Sequence, residues 1–228
     1  MPRTQTRGIA ALAAGLVAAL LFTTRGISGS TSTVTLLPDP ALDQPVAATK
    51  GEQTIVFAGG CFWGVQAVFQ HVKGVVSATS GYAGGTVSSP SYEQVSSSTT
   101  GHAESVKIVF DSSQVSLGQL LKVFFSVAHD PTELNRQGPD VGPQYRSAVF
   151  YTNEAQHKVV QAYIAQLTAA KAFHDPIVTQ VAPLKAFYEA EGYHQNYYSL
   201  HPNQPYIVIN DRPKVEALKT QFAQLWRD

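Results

Sequence analysis

An α+β fold of two layers is predicted by three features of the chain. Strand and helix signals interleave from Thr54 onward, several strands look half-exposed, and the helical stretches carry a single apolar stripe. A parallel sheet covered on both faces would need near-continuous apolar strands instead. The first strand is "TIVFAGG", short, apolar and closed by glycines. Val65, Val68, Phe69 and Val72 then follow helical spacing, which sets Cys61 where a strand ends and a helix begins. "VVSATSGYAGG" reads as a second strand running into a turn at Gly84 and Gly85, and "ESVKIVF" as a third with Val106, Ile108 and Phe110 on one face. Leu117, Leu120, Leu121 and Phe124 mark a helix that should stop near Asp130 and Pro131. "RSAVFY" is a further strand, and Val160, Tyr163, Ile164 and Leu167 mark a long helix. A last helix, capped by Asn210 or Asp211 with Pro213 in its first turn, places Val215, Leu218, Phe222 and Leu225 on one stripe.

Composition narrows the function. The 228 residues suit one domain with appendages, and 44% hydrophobic against 14% charged residues is an ordinary globular balance. Basic and acidic residues are equal at 16 each, so nothing steers the chain toward nucleic acid. One cysteine excludes an intramolecular disulfide framework and a cysteine-rich metal site, and no ligand cluster has zinc spacing. No metal is therefore expected. Arg3 and Arg7 precede an apolar run from Gly8 to Phe22, the layout of an export signal. Residues 1–30 are expected to be a signal peptide or signal anchor, and residues 31–52, with Pro38, Pro40 and Pro45, a flexible linker. The folded domain is expected over 53–228. Such a leader implies an exported or membrane-anchored protein in an extracytoplasmic compartment.

Three clusters carry candidate chemistry. A thiol at a helix N-terminus meets the positive end of the helix dipole, which favours thiolate; the alternative is that Cys61 is a small buried hydrophobe. Phe62 and Trp63 offer an apolar wall beside it, Gly59 and Gly60 allow close approach, and core packing explains the aromatic pair equally well. Glu104 shares strand parity with Val106, Ile108 and Phe110, so on a strand it points to the apolar side and has a raised pKa. If the strand starts later, Glu104 is solvated. His102 is a rival base. Third, Gly138, Pro139, Gly142 and Pro143 make an ordered loop that carries Asp140, Tyr145 and Arg146 toward a strand, where Tyr145 could donate to a polarised oxygen or merely pack. "AEGYHQNYY" is similarly aromatic and polar, with His194 read as structural.

In this order and at these separations, "GGCFWG", "GYAGG", "PSYEQV", "TGHAESVKIVFD", "GPDVGPQYRSAVFY" and "EGYHQNYY" resemble the A-type peptide methionine sulfoxide reductases over about Thr54 to Ser199. The resemblance implies an α+β two-layer sandwich with a ferredoxin-like core. It also implies reduction of methionine-S-sulfoxide in peptides without a cofactor, and one enzyme per sulfoxide epimer is the general rule. Cys61 would be the nucleophile and become a sulfenic acid. Glu104 would protonate the sulfoxide oxygen, Tyr92 and Tyr145 would hydrogen-bond it, and Asp140 would orient the site. Phe62 and Trp63 would receive the methyl group, with Tyr197 in the same pocket.

The sequence departs from many relatives in one respect. They carry a resolving cysteine in a glycine-rich C-terminal tail, whereas the segment after Ser199 contains no thiol. Reduction by an external thiol is therefore expected, from a thioredoxin-like protein, glutaredoxin or a small thiol. A monomer is the default expectation. Two other readings are a thiol peroxidase and a non-catalytic binder of oxidised-methionine peptides.

Overall fold

The computed structural model describes residues 36–228, which form part of one compact unit, Thr35–Asp228. The expected leader, residues 1–30, lies outside the described residues.

The central sheet is built from β1 (Glu52–Gly59), β2 (Val75–Ala83), β3 (Ala103–Asp111), β6 (Ser147–Tyr151), β7 (Gln180–Pro183) and β8 (Phe187–Glu189). Its strand order is β7-β6-β1-β3-β2-β8, with every pair antiparallel except β6 and β7. A separate two-stranded ribbon joins β4 (Arg136–Gln137) to β5 (Asp140–Val141). The α-helices of the described residues are α1 (Phe62–Gln70), α2 (Tyr92–Ser96), α3 (Leu117–Val123), α4 (Glu154–Ala169), α5 (Tyr197–Leu200) and α6 (Arg212–Gln221). Within this set, β1-α1-β2-β3-α3-β6 with the inner order β6-β1-β3-β2 is the expected ferredoxin-like core.

Strand parity divides the residues between two apolar layers. On β1, Ile55 and Phe57 face the main core with Val106, Ile108 and Phe110 of β3, while Val56 and Ala58 face a second cluster with Ala148 and Phe150. The main core also takes the stripes of α1, α3 and α4, including Val65, Phe69, Leu120, Leu121, Val160 and Leu167. Ser91 and Ser116 cap α2 and α3 in reciprocal capping boxes with Gln94 and Gln119, so each helix start satisfies its free N–H groups.

The helix from Leu117 stops where expected, just before Asp130 and Pro131, its last turn being π-helical over Phe124–Ala128. At the last helix the expectation changes. Asp211 precedes α6 but does not cap it: its backbone is already helical, inside a π-helical turn Ile207–Asp211, and its carboxylate accepts from Lys214 at 3.4 Å. Leu225, read as the end of that helix, follows its last turn and is buried against the core instead.

The described part of the expected linker is tied to the folded body. Tyr163 donates to the Pro38 carbonyl at 2.9 Å, the Ala41 N–H to Gln166 at 2.8 Å, and Ser116 and the Gly118 N–H to Asp43 at 2.5 and 2.8 Å. Leu37 is buried. The proline spacing that reads as a tether here produces an extended strap, because its free carbonyls and Asp43 find donors on α3 and α4.

Candidate active site

Cys61 follows Gly60 at the start of α1, where φ of Gly60 is +87°. A Cβ there would lie 2.5 Å from the Gln137 side chain. Both the left-handed backbone and the contact demand glycine. The turn delivers Cys61 to a pocket of about 280 Å³, lined by Cys61, Phe62, Trp63, Tyr92, Glu104, Asp140, Tyr145, Gln204 and Tyr206. Seven of these nine were nominated from the sequence. Gln204 and Tyr206 were not.

Glu104 lies on the main-core side of β3, as its parity predicts, and is only 2% exposed. Its Oε2 accepts from the Phe62 N–H at 3.1 Å, which ties the carboxyl to the first turn of α1. Burial pushes its pKa up to about 8, the Asp140 charge adds to this, and the Phe62 hydrogen bond opposes it. Near neutral pH the group is a carboxylic acid.

Cys61 departs from the thiolate expectation. Burial pushes the thiol up, the Glu104 and Asp211 carboxylates add to this, and the Trp63 backbone N–H and Lys214 only partly offset it. An anion withdrawn from water costs more than a helix terminus returns. The resting group is a thiol, next to an acid.

Tyr92, Tyr145 and Tyr206 are all pushed above the ordinary phenol range, chiefly by burial, so each keeps its O–H proton for donation. Tyr206 donates to Asp140 Oδ2, which joins the loop before β6 to the segment before α6. Glu191 positions Tyr92 by accepting from its backbone N–H at 2.9 Å and from Tyr82 at 2.8 Å.

The aromatic wall is braced from behind. Trp63 Nε1–H donates to His194 Nδ1 at 3.2 Å, and the Tyr197 ring stacks on Trp63 with centroids 3.8 Å apart. Tyr197 is not among the residues lining the pocket, so its expected place in it is corrected: it supports Trp63 rather than meeting a ligand. His194 has the structural role expected of it. Gln66 and Gln195 fasten this segment to α1 and β2, through bonds to the Ala78 and Ser80 carbonyls and to one another.

His102 is not the base of a Cys-His pair. It lines a different cavity, with Gly84, Gly85, Arg146 and Phe150. Among the described residues no group of three or more His, Cys, Asp or Glu side chains is arranged to hold a metal.

The family model described as peptide methionine sulfoxide reductase matches residues 53–226. The chain belongs to this family. A peptide methionine sulfoxide reductase MsrA 2 of Mesorhizobium japonicum is 56% identical over 181 residues, covering 79% of this chain and 93% of that one. A protein of the same name from Synechocystis is 50% identical, covering 82% and 89%. Among solved structures, reduced Mxr1 of Saccharomyces cerevisiae is similar with a TM-score of 0.61 and 31% identity, covering 75% of this chain and 94% of that chain. Methionine sulfoxide reductase A of Corynebacterium diphtheriae is similar with a TM-score of 0.58 and 33% identity, covering 74% and 86%. As a member of the peptide methionine sulfoxide reductases, the chain has their α+β fold.

Tyr206 and Gln204 had a signal in the sequence. "HPNQPYIV" sets one aromatic in a polar, proline-flanked stretch, the same composition that nominated Tyr145. What the stretch does not disclose is that it folds back 66 residues to meet Asp140.

Proposed function

We propose that the protein reduces methionine-S-sulfoxide in peptides and proteins to methionine, with Cys61 as the nucleophile. One observation carries this reading: a buried, protonated Glu104 shares one small pocket with the only thiol and with an aromatic wall. Cys61 attacks the sulfoxide sulfur while Glu104 gives its proton to the oxygen, which Tyr92 and Tyr145 hold as donors. The S–O bond passes to Cys61, so methionine sulfur is reduced by two electrons and Cys61 becomes a sulfenic acid. One of the two protons on the Cys61 and Glu104 pair ends on the sulfenic oxygen, and the other restores the acid. Phe62 and Trp63 receive the methyl group, and the Tyr206 bond to Asp140 fixes the rim. The tyrosines keep their protons throughout.

With one cysteine in the sequence, the sulfenic acid is cleared by an external thiol, a thioredoxin-like protein, glutaredoxin or a small thiol. The basic and apolar leader supports action outside the cytoplasm, on envelope or lumenal proteins. Recovery of the full-length chain with its leader in the cytosolic fraction would sink that placement.

The central test offers the purified protein a methionine-S-sulfoxide peptide and, separately, its R epimer, then looks for sulfenic acid on Cys61 by mass spectrometry. Oxidation of Cys61 by the S epimer alone, with release of methionine, is expected. Oxidation by both epimers or by neither contradicts the assignment.

A further inference from the structure

Cys61, only 8% exposed, lines two cavities. Besides the sulfoxide pocket, a narrower cleft of about 90 Å³ reaches it, lined by Gln137, Gly138, Pro139, Asn210 and Lys214. Tyr206, fastened to Asp140, lines both spaces. Glu104, Tyr92 and Tyr145, the groups that hold the sulfoxide oxygen, line the first space and not the second.

That division meets a stereoelectronic requirement. A thiolate displaces oxygen from a sulfenic sulfur by entering opposite the bond that breaks. The sulfenic oxygen on Cys61 is the former sulfoxide oxygen, left among Glu104, Tyr92 and Tyr145. The opposite approach to Cys61 is the side away from those three groups. A space of about 90 Å³ has room for roughly three waters, enough for one –CH2–SH arm. It also has a cation: Lys214 is pinned 3.4 Å from the fully buried Asp211, with its side chain 19% exposed.

We propose that this cleft admits the reducing thiol, and that Lys214 receives it as a thiolate whose body carries further negative charge. The proposal rests on the sulfenic acid reading above. The thiolate sulfur bonds to Cys61, the S–O bond breaks, and the Glu104 proton leaves with the hydroxide as water. Cys61 is thereby reduced to a mixed disulfide as the thiol is oxidised. A second thiolate then releases Cys61 and departs as a disulfide with the first. Glu104 regains its proton from solvent.

The test separates the two half-reactions. The full-length protein is first turned over once with a methionine-S-sulfoxide peptide, and the methionine released is counted. The sulfenic form is then mixed with mercaptoethanesulfonate, an anionic thiol, or cysteamine, a cationic one, and rates are compared per thiolate. The anionic thiol is expected to be faster by about tenfold at low salt, with the preference collapsing at high salt. Lys214→Arg should keep the preference and Lys214→Glu should invert it. Asn210→Phe, which narrows the cleft, should slow both thiols. If methionine is released but neither salt nor the Lys214→Glu change alters the preference, the cleft is not the entry. If no methionine is released by the parent protein, the sulfoxide reading itself fails and the proposal falls with it. Should Lys214→Glu not fold, the salt dependence of the parent and the Asn210→Phe rates decide.

Discussion

Glu104 shows how burial converts a common carboxylate into an acid. Its pKa of about 8 comes from desolvation against a single opposing hydrogen bond, from the Phe62 N–H. Replacing it with glutamine keeps the shape and a hydrogen-bond donor but removes the transferable proton. The Glu104→Gln protein is expected to lose about 10²–10⁴ in the rate of methionine formation. For the parent, kcat/KM should fall as pH rises through about 8, where the carboxyl gives up its proton, and the variant should lack that limb. A pH profile unchanged by the substitution would remove Glu104 from the proton transfer. Gly60 carries the complementary lesson for the backbone. Its φ of +87° and the 2.5 Å approach of Gln137 leave no place for a methyl group. Gly60→Ala is expected to lower stability by about 1–3 kcal/mol, read by denaturant unfolding, and to depress activity by moving Cys61.

The elements around the pocket act through contact rather than chemistry. Tyr197, at the start of α5, stacks on Trp63 with ring planes 8° apart and touches no reacting group. Removing that ring in Tyr197→Ala should free Trp63 at a cost of about 0.5–1.5 kcal/mol. Steady-state kinetics should then show KM raised several-fold with kcat nearly unchanged; an equal loss in both would place Tyr197 in the transition state. The π-helical turn after α3 has a similar bracing partner. His129 is stacked on Phe124 at 4.0 Å, its Nδ1–H donates to the Phe124 carbonyl at 3.1 Å, and its Nε2 accepts from Ser147 on β6 at 2.7 Å. Burial pushes its pKa down to about 3, so the ring stays neutral in the folded chain. Below about pH 6.5 the unfolded chain takes up a proton here that the folded chain refuses until about pH 3, and stability falls across that window. A His129→Gln chain is expected to start less stable at neutral pH, by about 1–3 kcal/mol, and to lose less on acidification.

For the molecule as a whole, the site is held at the expense of stability in alkali. Glu104 in the unfolded chain releases its proton near its ordinary value of 4.5, while the folded chain retains it to about 8. The folded form therefore binds the extra proton between those values, and stability declines as pH rises through that range. Asp211, raised to about 6 by burial, adds a slope of the same sign below that pH. Between about pH 6.5 and 8 the decline is expected to come from Glu104. Thermal unfolding of Glu104→Gln should show that segment flattened, with Tm above the parent by several degrees at pH 8.5, reflecting a few kcal/mol. A parent whose Tm rises over the same interval would contradict the protonated, buried carboxyl.

Much of this was readable along the chain. The periodicity of β1, β3, α1 and α4, the glycine turn before Cys61, and the parity that turns Glu104 inward are all local, since period and turn chemistry act over a few residues. Motifs in register extended that reading to seven of the nine pocket residues. Other features depend on which distant segments touch. Tyr206 reaches Asp140 across 66 positions, Tyr197 slides behind Trp63 instead of into the pocket, and the strap at Pro38 to Asp43 binds α3 and α4 where its prolines suggest a free tether. The protonation of Cys61 belongs with these. A helix N-terminus is visible in sequence and favours thiolate, but burial by surrounding elements outweighs it, and burial is a property of packing that no local pattern contains.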